Sequence, residues 1–569
     1  MRPASGLRYW LLRSGDVFLL PLVLLAFFWQ LGTPALFDLD EGAFSAATWE
    51  MLQRGDFITT FLNGEPRFDK PILIYWLQAI SVSMFGLHEW TLRLPSALAA
   101  SAWVMATYYF AKPRMASTMF PSTPLASTPL SHRDSRSLSG VEGNMVEASG
   151  VEGNRPAILA ALMVATAPMI LVIGRAATAD AVLNLLIALT LFDIWRYWEN
   201  PTRMVMFRVF FWLGLGFLCK GPIAVAIPFV TSAFLYLTQY RTLSARTERS
   251  RSGVEGWKNW LKTVFHPYGL TVFLAIAAPW YILEYLAQGQ AFIDGFFFKH
   301  NVSRFSDTME GHGGVVWYYL VALPLIIMPF GGLVVQMLRE KNRGEGAFNR
   351  FLWFWFLLVF VLFSFSSTQL PHYLLYGITP LILLLAKHCG ANPNRWLTLI
   401  PAILFAATLF FLPEILAKAV EQNPAEYFQG LLQQAGKVTG NHYKTAAGIY
   451  LLALLALLLW PKVQNFWRLA GAAVLQALFI VSVLIPVIAW IQQAPVKEAA
   501  RFARHYLADS VVVMDGLNMP SFTVYRERIT PQRPPQVGEY VFTKAGSLPP
   551  GEYQTVFKQG GVMLAKRVK

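Results

Sequence analysis

The chain has 569 residues, of which 55% are hydrophobic, 15% aromatic and only 14% charged, and its formal net charge is +14. This balance excludes a disordered chain and is unusually apolar for a soluble enzyme. Apolar runs of membrane length recur along most of the sequence, which indicates a polytopic helical membrane protein. Cys219 lies in an apolar run and Cys389 in a short polar gap, so the sequence predicts neither a disulfide nor a thiolate metal site.

Thirteen runs are candidate transmembrane spans. In chain order they are 17–32, 91–111, 157–173, 181–197, 205–219, 222–238, 268–288, 315–336, 351–366, 372–387, 396–413, 446–460 and 468–490. No small-x-small cleavage site follows the first run and further spans come after it, so it is not a cleaved signal peptide. The apolar stretch 72–85 is too short for a span and predicts a helix lying along the membrane surface.

The distribution of Lys and Arg predicts the orientation. Basic residues are concentrated in the N-terminus and in the loops on its side, which are 112–156, 239–266 and 339–350. The alternate gaps are poorer in Lys and Arg, and they are 33–90, 289–314 and 414–445. We therefore expect a cytoplasmic N-terminus and a periplasmic first loop. The positive net charge then reflects anchoring to anionic lipid, and nothing in the sequence indicates a nucleic-acid partner.

We assign residues 1–490 to a membrane domain. Two regions of the chain differ from the apolar spans in composition. The loop 112–156 contains a low-complexity insertion in which SGVEG occurs twice, and the unit recurs at 252–256. Its Ser, Pro and Gly content predicts disorder. Residues 491–569 combine one amphipathic helical pattern with the strand-like segments SVVVMDG, EYVFTKAG and GVMLAKRV, which predicts a small α/β domain on the outer face.

The first periplasmic loop, 33–90, concentrates carboxylates beside the bilayer, where they cost solvation energy unless they pair, bind a metal or do chemistry. Asp40 and Glu41 begin a helix-like stretch, where an acidic residue either caps the helix or serves as a general base or metal ligand. Lys70, in FDKP, is either half of a surface ion pair or a ligand for a phosphate oxygen.

Further ionisable residues map to the same outer face under this orientation. They are Arg175, Asp180, Lys220, His300, Arg304, His312 and His372. Each alone is compatible with a helix cap or an interfacial anchor. Cations on this face oppose the positive-inside bias, and an anionic substrate such as a lipid phosphate supplies the local reason for them.

Five ordered motifs resemble a known family: the stretch from LDEGAFSAATWEML to FDKPILIYWL, then GRAATADAVLNL, GFLCKGPIAVAIP, HNVSRFSD and STQLPHYLLYGITPLILLLA. They are similar to the aminoarabinose lipid A transferases, which belong to the GT-C class of membrane glycosyltransferases and are related to the protein O-mannosyltransferases. The resemblance covers residues 17 to 490. It implies a GT-C fold, here an all-α polytopic protein of about 13 transmembrane helices with a small α/β periplasmic C-terminal domain.

The resemblance also implies roles for individual residues. The implied catalytic carboxylates are Asp40, Glu41 and Asp180. The residues implied to bind the donor phosphate are Lys70, Arg304, Tyr373, Lys220 and Arg175. Asp69, with His300 or His312, is implied to hold a divalent metal as cofactor. Where this chain has Gln369 the family usually carries Lys, which removes one cation near the anionic site.

The function that follows from the resemblance is transfer of a sugar, 4-amino-4-deoxy-L-arabinose or a related pentose or hexose, from a polyprenyl phosphate, with inversion. The acceptor would be lipid A or another envelope molecule, at the outer face of a bacterial inner membrane. Two alternatives stay open. One is an enzyme like the protein O-mannosyltransferases, with a Ser/Thr acceptor. The other is a transporter or flippase, although transporters place their charges near the midplane and often show repeated halves, neither of which is visible here.

Overall fold

The structure, a computed structural model, describes residues 15–115, 154–244, 252–302, 315–339, 346–390, 392–422 and 425–569. Most of the predicted low-complexity insertion lies outside these residues. A large helical bundle is followed by a small domain that contains a four-stranded sheet.

The helices of the first half of the chain are α1 (Gly15–Val23, continued by a π-helical turn over Leu24–Phe28), α2 (Asp40–Arg54), α3 (Leu73–Phe85), α4 (Glu89–Met115), α5 (Arg155–Thr166), α6 (Pro168–Arg175), α7 (Asp180–Glu199), α8 (Arg203–Lys220), α9 (Ile223–Ser244), α10 (Ser252–Val264) and α11 (Pro267–Gln288). A short hairpin, β1 (Phe61–Leu62) and β2 (Glu65–Pro66), lies in the first loop. A wide helical turn, Ile293–Val302, follows α11.

The helices of the second half are α12 (Tyr318–Ile326), α13 (Gly331–Arg339), α14 (Ala347–Ser364), α15 (Ile378–Cys389, preceded by a 3-10 helix over Pro371–Gly377), α16 (Arg395–Phe410), α17 (Leu412–Gln422), α18 (Glu426–Val438), α19 (Asn441–Leu459), α20 (Asn465–Phe479, continued by a π-helical turn over Ile480–Leu484) and α21 (Ile485–Gln492).

The predicted number of spans is not confirmed. Each of the thirteen apolar runs coincides with a helix or a bent pair of helices. By length and composition, however, five helices among the described residues can cross a membrane, or up to eight if each bent pair forms one span. Charge and length account for the difference: α8 carries Arg203, Arg208 and Lys220, and α15 has only 12 residues. A helix is present at the predicted stretch 72–85, as α3, and its position along the membrane surface stays a prediction.

A proline sets the bend that shapes one wall of the candidate site. Pro168 is the first residue of α6, and its missing N–H cannot continue the hydrogen-bond ladder of α5. The axes of α5 and α6 differ by 59°. As a result α6 turns Met169, Val172 and Ile173 toward a cavity at one end of the bundle.

The antiparallel pair α7 and α8 is joined by polar side chains at both ends. At the end near their connection, the buried Asp193 carboxylate accepts hydrogen bonds from Arg196, Arg208 and Trp212. At the other end, Asp180 opens α7 and Lys220 closes α8. Because the two helices run in opposite directions, Asp180 and Lys220 meet at the same end of the bundle.

The C-terminal domain contains α22 (Ala494–Tyr506), β3 (Val512–Met514), α23 (Ser521–Arg526), β4 (Tyr540–Lys544), β5 (Tyr553–Gln559) and β6 (Val562–Arg567). The sheet order is β3-β4-β6-β5, with β3 parallel to β4 and the other neighbours antiparallel. The three segments with strand-like sequence form β3, β4 and β6. We did not predict β5, although the Gly560-Gly561 pair between β5 and β6, with both φ values positive, is a strong hairpin signal.

Candidate active site

The candidate site includes the start of α2, which follows the first part of the first loop. Asp40 is the first residue of α2, and its side chain is exposed to a cavity of about 370 Å³. The neighbouring Glu41 also borders this cavity but is only 2% exposed. The two carboxylates that the sequence placed side by side therefore have different surroundings.

Glu41 is saturated with hydrogen bonds. Its Oε1 accepts from Arg93 Nε at 2.7 Å and from the Ala177 backbone N–H at 2.8 Å. Its Oε2 accepts from Arg93 Nη2 and from the Phe37 N–H, both at 2.8 Å. A carboxylate whose lone pairs are all engaged in this way has no free position for a substrate proton. We therefore interpret Glu41 as a structural anchor, and not as the catalytic residue that the resemblance implied.

Arg93 is the partner that sequence reasoning missed. Besides its two bonds to Glu41, its guanidinium donates to the carbonyls of Leu31, Pro34 and Ala35, so that all five N–H groups are used. The side chain is 2% exposed. Arg93 thus ties the segment before α2 to α4, and the only signal in the sequence was an arginine inside an apolar run.

A second buried cluster forms where α7, α8 and the 3-10 helix meet. Lys220 Nζ donates to Asp180 Oδ1 at 2.6 Å and to the Tyr376 hydroxyl at 2.8 Å. His372 Nε2 lies 3.9 Å from the same carboxylate oxygen, and the ring of Tyr373 lies 5.5 Å from Lys220 Nζ. Tyr376 was not among the predicted site residues, although the motif LPHYLLYG contains it.

Lys70 belongs to a third group at the end of the first loop. Its Nζ lies 2.6 Å from Asp69 Oδ1, and Arg67 Nη2 donates to Asp69 Oδ2 at 2.9 Å. Arg67 also donates to the Tyr75 hydroxyl at 3.2 Å. One carboxylate thus lies between two cations, and this group carries a net positive charge.

The three groups are close together. Lys70 acts electrostatically on Asp180, Asp40 acts on Arg67, and both Lys70 and Asp40 act on His372. Asp40, Asp180 and His372 line the 370 Å³ cavity. The structure therefore brings Asp40, Lys70, Asp180, Lys220 and His372 to one end of the bundle, as the sequence predicted.

The remaining predicted site residues are either engaged in structural contacts or lie outside the described residues. Arg175 lines the cavity, but its guanidinium donates to the backbone carbonyls of Ala26 and Trp29, so it holds α1 against α6. Arg304, His312 and the side chain of His300 lie outside the described residues. The roles expected for them remain predictions.

The expected metal site stays a prediction, because Asp69 is the only one of its three proposed ligands whose side chain is described. Asp69 already faces the cations Arg67 and Lys70 with its two oxygens. Across the described ranges, no group of three or more His, Cys, Asp and Glu side chains could hold a metal ion. We therefore derive no step of the reaction through a metal.

Asp38 links the first loop to the C-terminal domain. Its Oδ1 accepts from the Ser521 backbone N–H at 2.9 Å, and its Oδ2 accepts from Ser521 Oγ at 2.5 Å. Burial raises the pKa of Asp38 from 3.8 to about 7, although the Ser521 hydrogen bonds lower it, and the nearby Glu41 charge raises it further.

The pH dependence of stability should report on Asp38. The folded protein binds the Asp38 proton more tightly than the unfolded protein does, because the pKa of this carboxyl is higher in the folded state. The free energy of unfolding therefore declines as pH rises from about 4 to about 7. We expect Asp38→Asn, which cannot ionise, to raise the melting temperature relative to wild type by about 4 °C or more at pH 8 and by less at pH 5. Thermal unfolding in detergent at both pH values measures this. An equal effect of the substitution at both pH values would contradict it.

Comparisons with known proteins identify what the chain is similar to. Residues 151–249 match the model of the family "Dolichyl-phosphate-mannose-protein mannosyltransferase". An uncharacterised protein of Aquifex aeolicus is 26% identical over 404 residues, which cover 69% of this chain and 78% of that protein. The undecaprenyl phosphate-alpha-4-amino-4-deoxy-L-arabinose arabinosyl transferase of Photorhabdus laumondii is 24% identical over 416 residues, which cover 70% of this chain and 65% of the transferase.

The fold of nearly the whole chain is similar to that of a solved structure. The crystal structure of ArnT from Cupriavidus metallidurans bound to undecaprenyl phosphate superposes with a TM-score of 0.72 at 17% identity, covering 97% of this chain and 98% of that one. The same protein in the apo state gives a TM-score of 0.71. The chain is thus similar to glycosyltransferases that use polyprenyl-phosphate-linked sugars, and it shares the fold of ArnT. The charged pocket at one end of the helical bundle is the candidate active site.

Proposed function

We propose that this chain is a GT-C glycosyltransferase that moves a sugar, 4-amino-4-deoxy-L-arabinose or a related pentose or hexose, from polyprenyl phosphate to lipid A or another envelope acceptor, with inversion at the anomeric carbon. The reaction would take place at the periplasmic face of a bacterial inner membrane. The proposal rests chiefly on one observation: the cavity combines an apolar wall with an ionic rim.

The apolar wall suits a polyprenyl chain. It is formed by Met169, Val172 and Ile173 on α6 and by Ile485 and Ile488 on α21. Val172 is 44% exposed, so the wall can be reached from outside the bundle. A lipid tail buried there would leave its phosphate among the charged residues at the rim, where apolar surface gives way to Asp40, Asp180 and His372.

The charged residues divide into two roles. Lys70 and Lys220 are cations near the rim, and they would stabilise the negative charge that grows on the departing polyprenyl phosphate. Asp180 and Tyr376 hold Lys220 in place. Asp40, which is exposed and lines the cavity, would accept the proton of an acceptor hydroxyl as the hydroxyl oxygen bonds to the anomeric carbon and the bond from that carbon to the phosphate oxygen breaks.

The test is reconstitution of the full chain in liposomes. Undecaprenyl phosphate-linked 4-amino-4-deoxy-L-arabinose and lipid A are supplied, and mass spectrometry follows both the modified lipid A and the released undecaprenyl phosphate. We expect both products to accumulate together. Absence of donor consumption with every sugar and acceptor supplied would refute the proposal.

A protein acceptor is the second candidate, because the matching family model describes a protein mannosyltransferase. The same liposomes with a Ser/Thr-rich peptide as the acceptor separate the two. Sugar on the peptide and none on lipid A would favour this candidate.

Lys70→Gln should weaken donor binding. A hydrogen bond to a charged group contributes about 1.5–3 kcal/mol, so KM for the donor should rise roughly 10- to 100-fold. The matched control is Lys112→Gln near the far end of α4, where Lys112 Nζ lies 5.2 Å from the centre of the Tyr108 ring. Initial rates against donor concentration measure both variants. An unchanged KM for Lys70→Gln would contradict the phosphate role.

A further inference from the structure

The C-terminal domain contacts the segment that carries Asp40. The short helix α23 packs against α2, and its Val524 joins a buried apolar cluster with Leu36 and Ala46 of the first loop. This contact between the C-terminal domain and the first loop lies directly before Asp40, the candidate general base. It can therefore influence the position of Asp40.

Two polar anchors fix this segment. Ser521 holds the Asp38 carboxylate through both its backbone N–H and its hydroxyl, at 2.9 and 2.5 Å. The Tyr525 hydroxyl accepts a hydrogen bond from the Leu36 N–H at 2.8 Å and donates to Glu89 Oε1 at 3.2 Å. Glu89 in turn pairs with Lys497 on α22.

The fit between the two surfaces is close. A side chain at Gly42 would place its Cβ 1.9 Å from Asp38 Oδ1 and 2.8 Å from the Ser521 nitrogen, so only glycine allows this approach. Asp38 and Asp40 both line the cavity and are separated by a single residue. A shift of Asp38 therefore moves Asp40.

We propose that Ser521 and Tyr525 are positioning residues for sugar transfer, which hold Leu36 and Asp38 so that the Asp40 carboxylate faces the reacting atoms. Neither side chain touches substrate in this proposal. The C-terminal domain thus completes the geometry of the active site from outside the membrane domain. The inference rests on the proposed function of Asp40.

The test uses full-length protein in liposomes, with undecaprenyl phosphate-linked 4-amino-4-deoxy-L-arabinose as donor and lipid A as acceptor. A misplacement of about 1 Å can lower a rate by about 100-fold, so we expect the double variant Ser521→Ala, Tyr525→Phe to lower kcat roughly 10- to 100-fold with KM for the donor within about twofold of wild type. The single variant Ser521→Thr keeps both a hydroxyl and Tyr525, so its kcat should stay close to that of the wild type.

The control addresses general destabilisation of the domain. Thr543 is buried in the same domain, and its Oγ1 forms a hydrogen bond with Ser547 Oγ at 3.0 Å, away from the first loop. Thr543→Val should leave kcat within about twofold of wild type. An equal fall of kcat in this control, or a parallel rise of KM in the double variant, would overturn the positioning role.

A second measurement does not depend on activity. Hydrogen exchange of the amides in residues 36–41 should be faster in the double variant than in wild type and unchanged in Thr543→Val. If the wild type transfers sugar and the double variant has the same kcat, the positioning role is refuted and the proposed function still stands. A wild-type chain that transfers nothing would refute the proposed function, and the exchange rates would then still show whether α23 fixes the loop.

Discussion

Asp40→Asn is expected to lower kcat for transfer to a hydroxyl acceptor by about 10²- to 10⁴-fold, the usual contribution of a general base. The amide keeps the size of the side chain and cannot take up the proton. Asp40 is exposed and lines the cavity, whereas the neighbouring Glu41 is occupied by four hydrogen bonds and cannot take its place. Single-turnover rates with lipid A or a model alcohol as the acceptor measure the effect.

The matched control is Glu65→Gln, an exposed carboxylate on β2 of the same loop that does not line the cavity. It should retain the wild-type rate. An acceptor that attacks through an ionised phosphate needs no base, so the loss in Asp40→Asn should then be much smaller. Wild-type rates for Asp40→Asn with both kinds of acceptor would show that Asp40 has no role in the chemistry.

Arg93→Met is expected to have the largest effect on stability. Removing one member of a buried ion pair leaves the other charge uncompensated and costs about 3–5 kcal/mol. Here the loss includes the hydrogen bonds to three backbone carbonyls as well as those to Glu41. Arg93→Lys should recover only part of it, because an ammonium group cannot span these five acceptors. Thermal unfolding in detergent measures both variants.

The control for Arg93 is Arg196→Met on α7, which removes a partly exposed arginine, 32% accessible, from its pair with Asp193. Its effect should be about 1 kcal/mol or less. The double variant Glu41→Gln, Arg93→Met should be more stable than Arg93→Met, since it leaves no buried charge without a partner. Equal melting temperatures for Arg93→Met and Arg196→Met would contradict the anchoring role of this pair.

Sequence patterns predicted the helical runs well because apolar periodicity and length determine them locally. They also predicted that Asp40, Lys70, Asp180, Lys220 and His372 would meet, since the charge of the loops assigned them to one face. The number of spans was not confirmed, because several of the predicted runs form helices that are too short or too highly charged to cross a membrane by length and composition. Strand β5 was missed because its composition, YQTVFKQ, is polar and an irregularity between Thr555 and Phe557 interrupts the alternation of its side chains.

Pairs between distant residues were beyond the reach of sequence patterns. Glu41 and Arg93 are 52 residues apart, and Asp38 and Ser521 are 483 apart. Each partner taken alone has an ordinary local interpretation, as a helix-start carboxylate, a basic residue in an apolar run or a loop serine. Only tertiary packing showed that one carboxylate of the Asp40-Glu41 pair is structural and that the other stays accessible.

The α7–α8 pair has a consequence for the surrounding lipid. About 20 Å of helix, at 1.5 Å per residue, separates the Asp180–Lys220 contact from the Asp193–Arg208 contact. The hydrocarbon core of a typical bilayer is about 30 Å thick. Polar groups fixed closer together than that favour local thinning of the bilayer. A thinner leaflet beside this hairpin would bring headgroups down toward the cavity, so that a lipid-linked phosphate reaches the rim without leaving its own membrane layer.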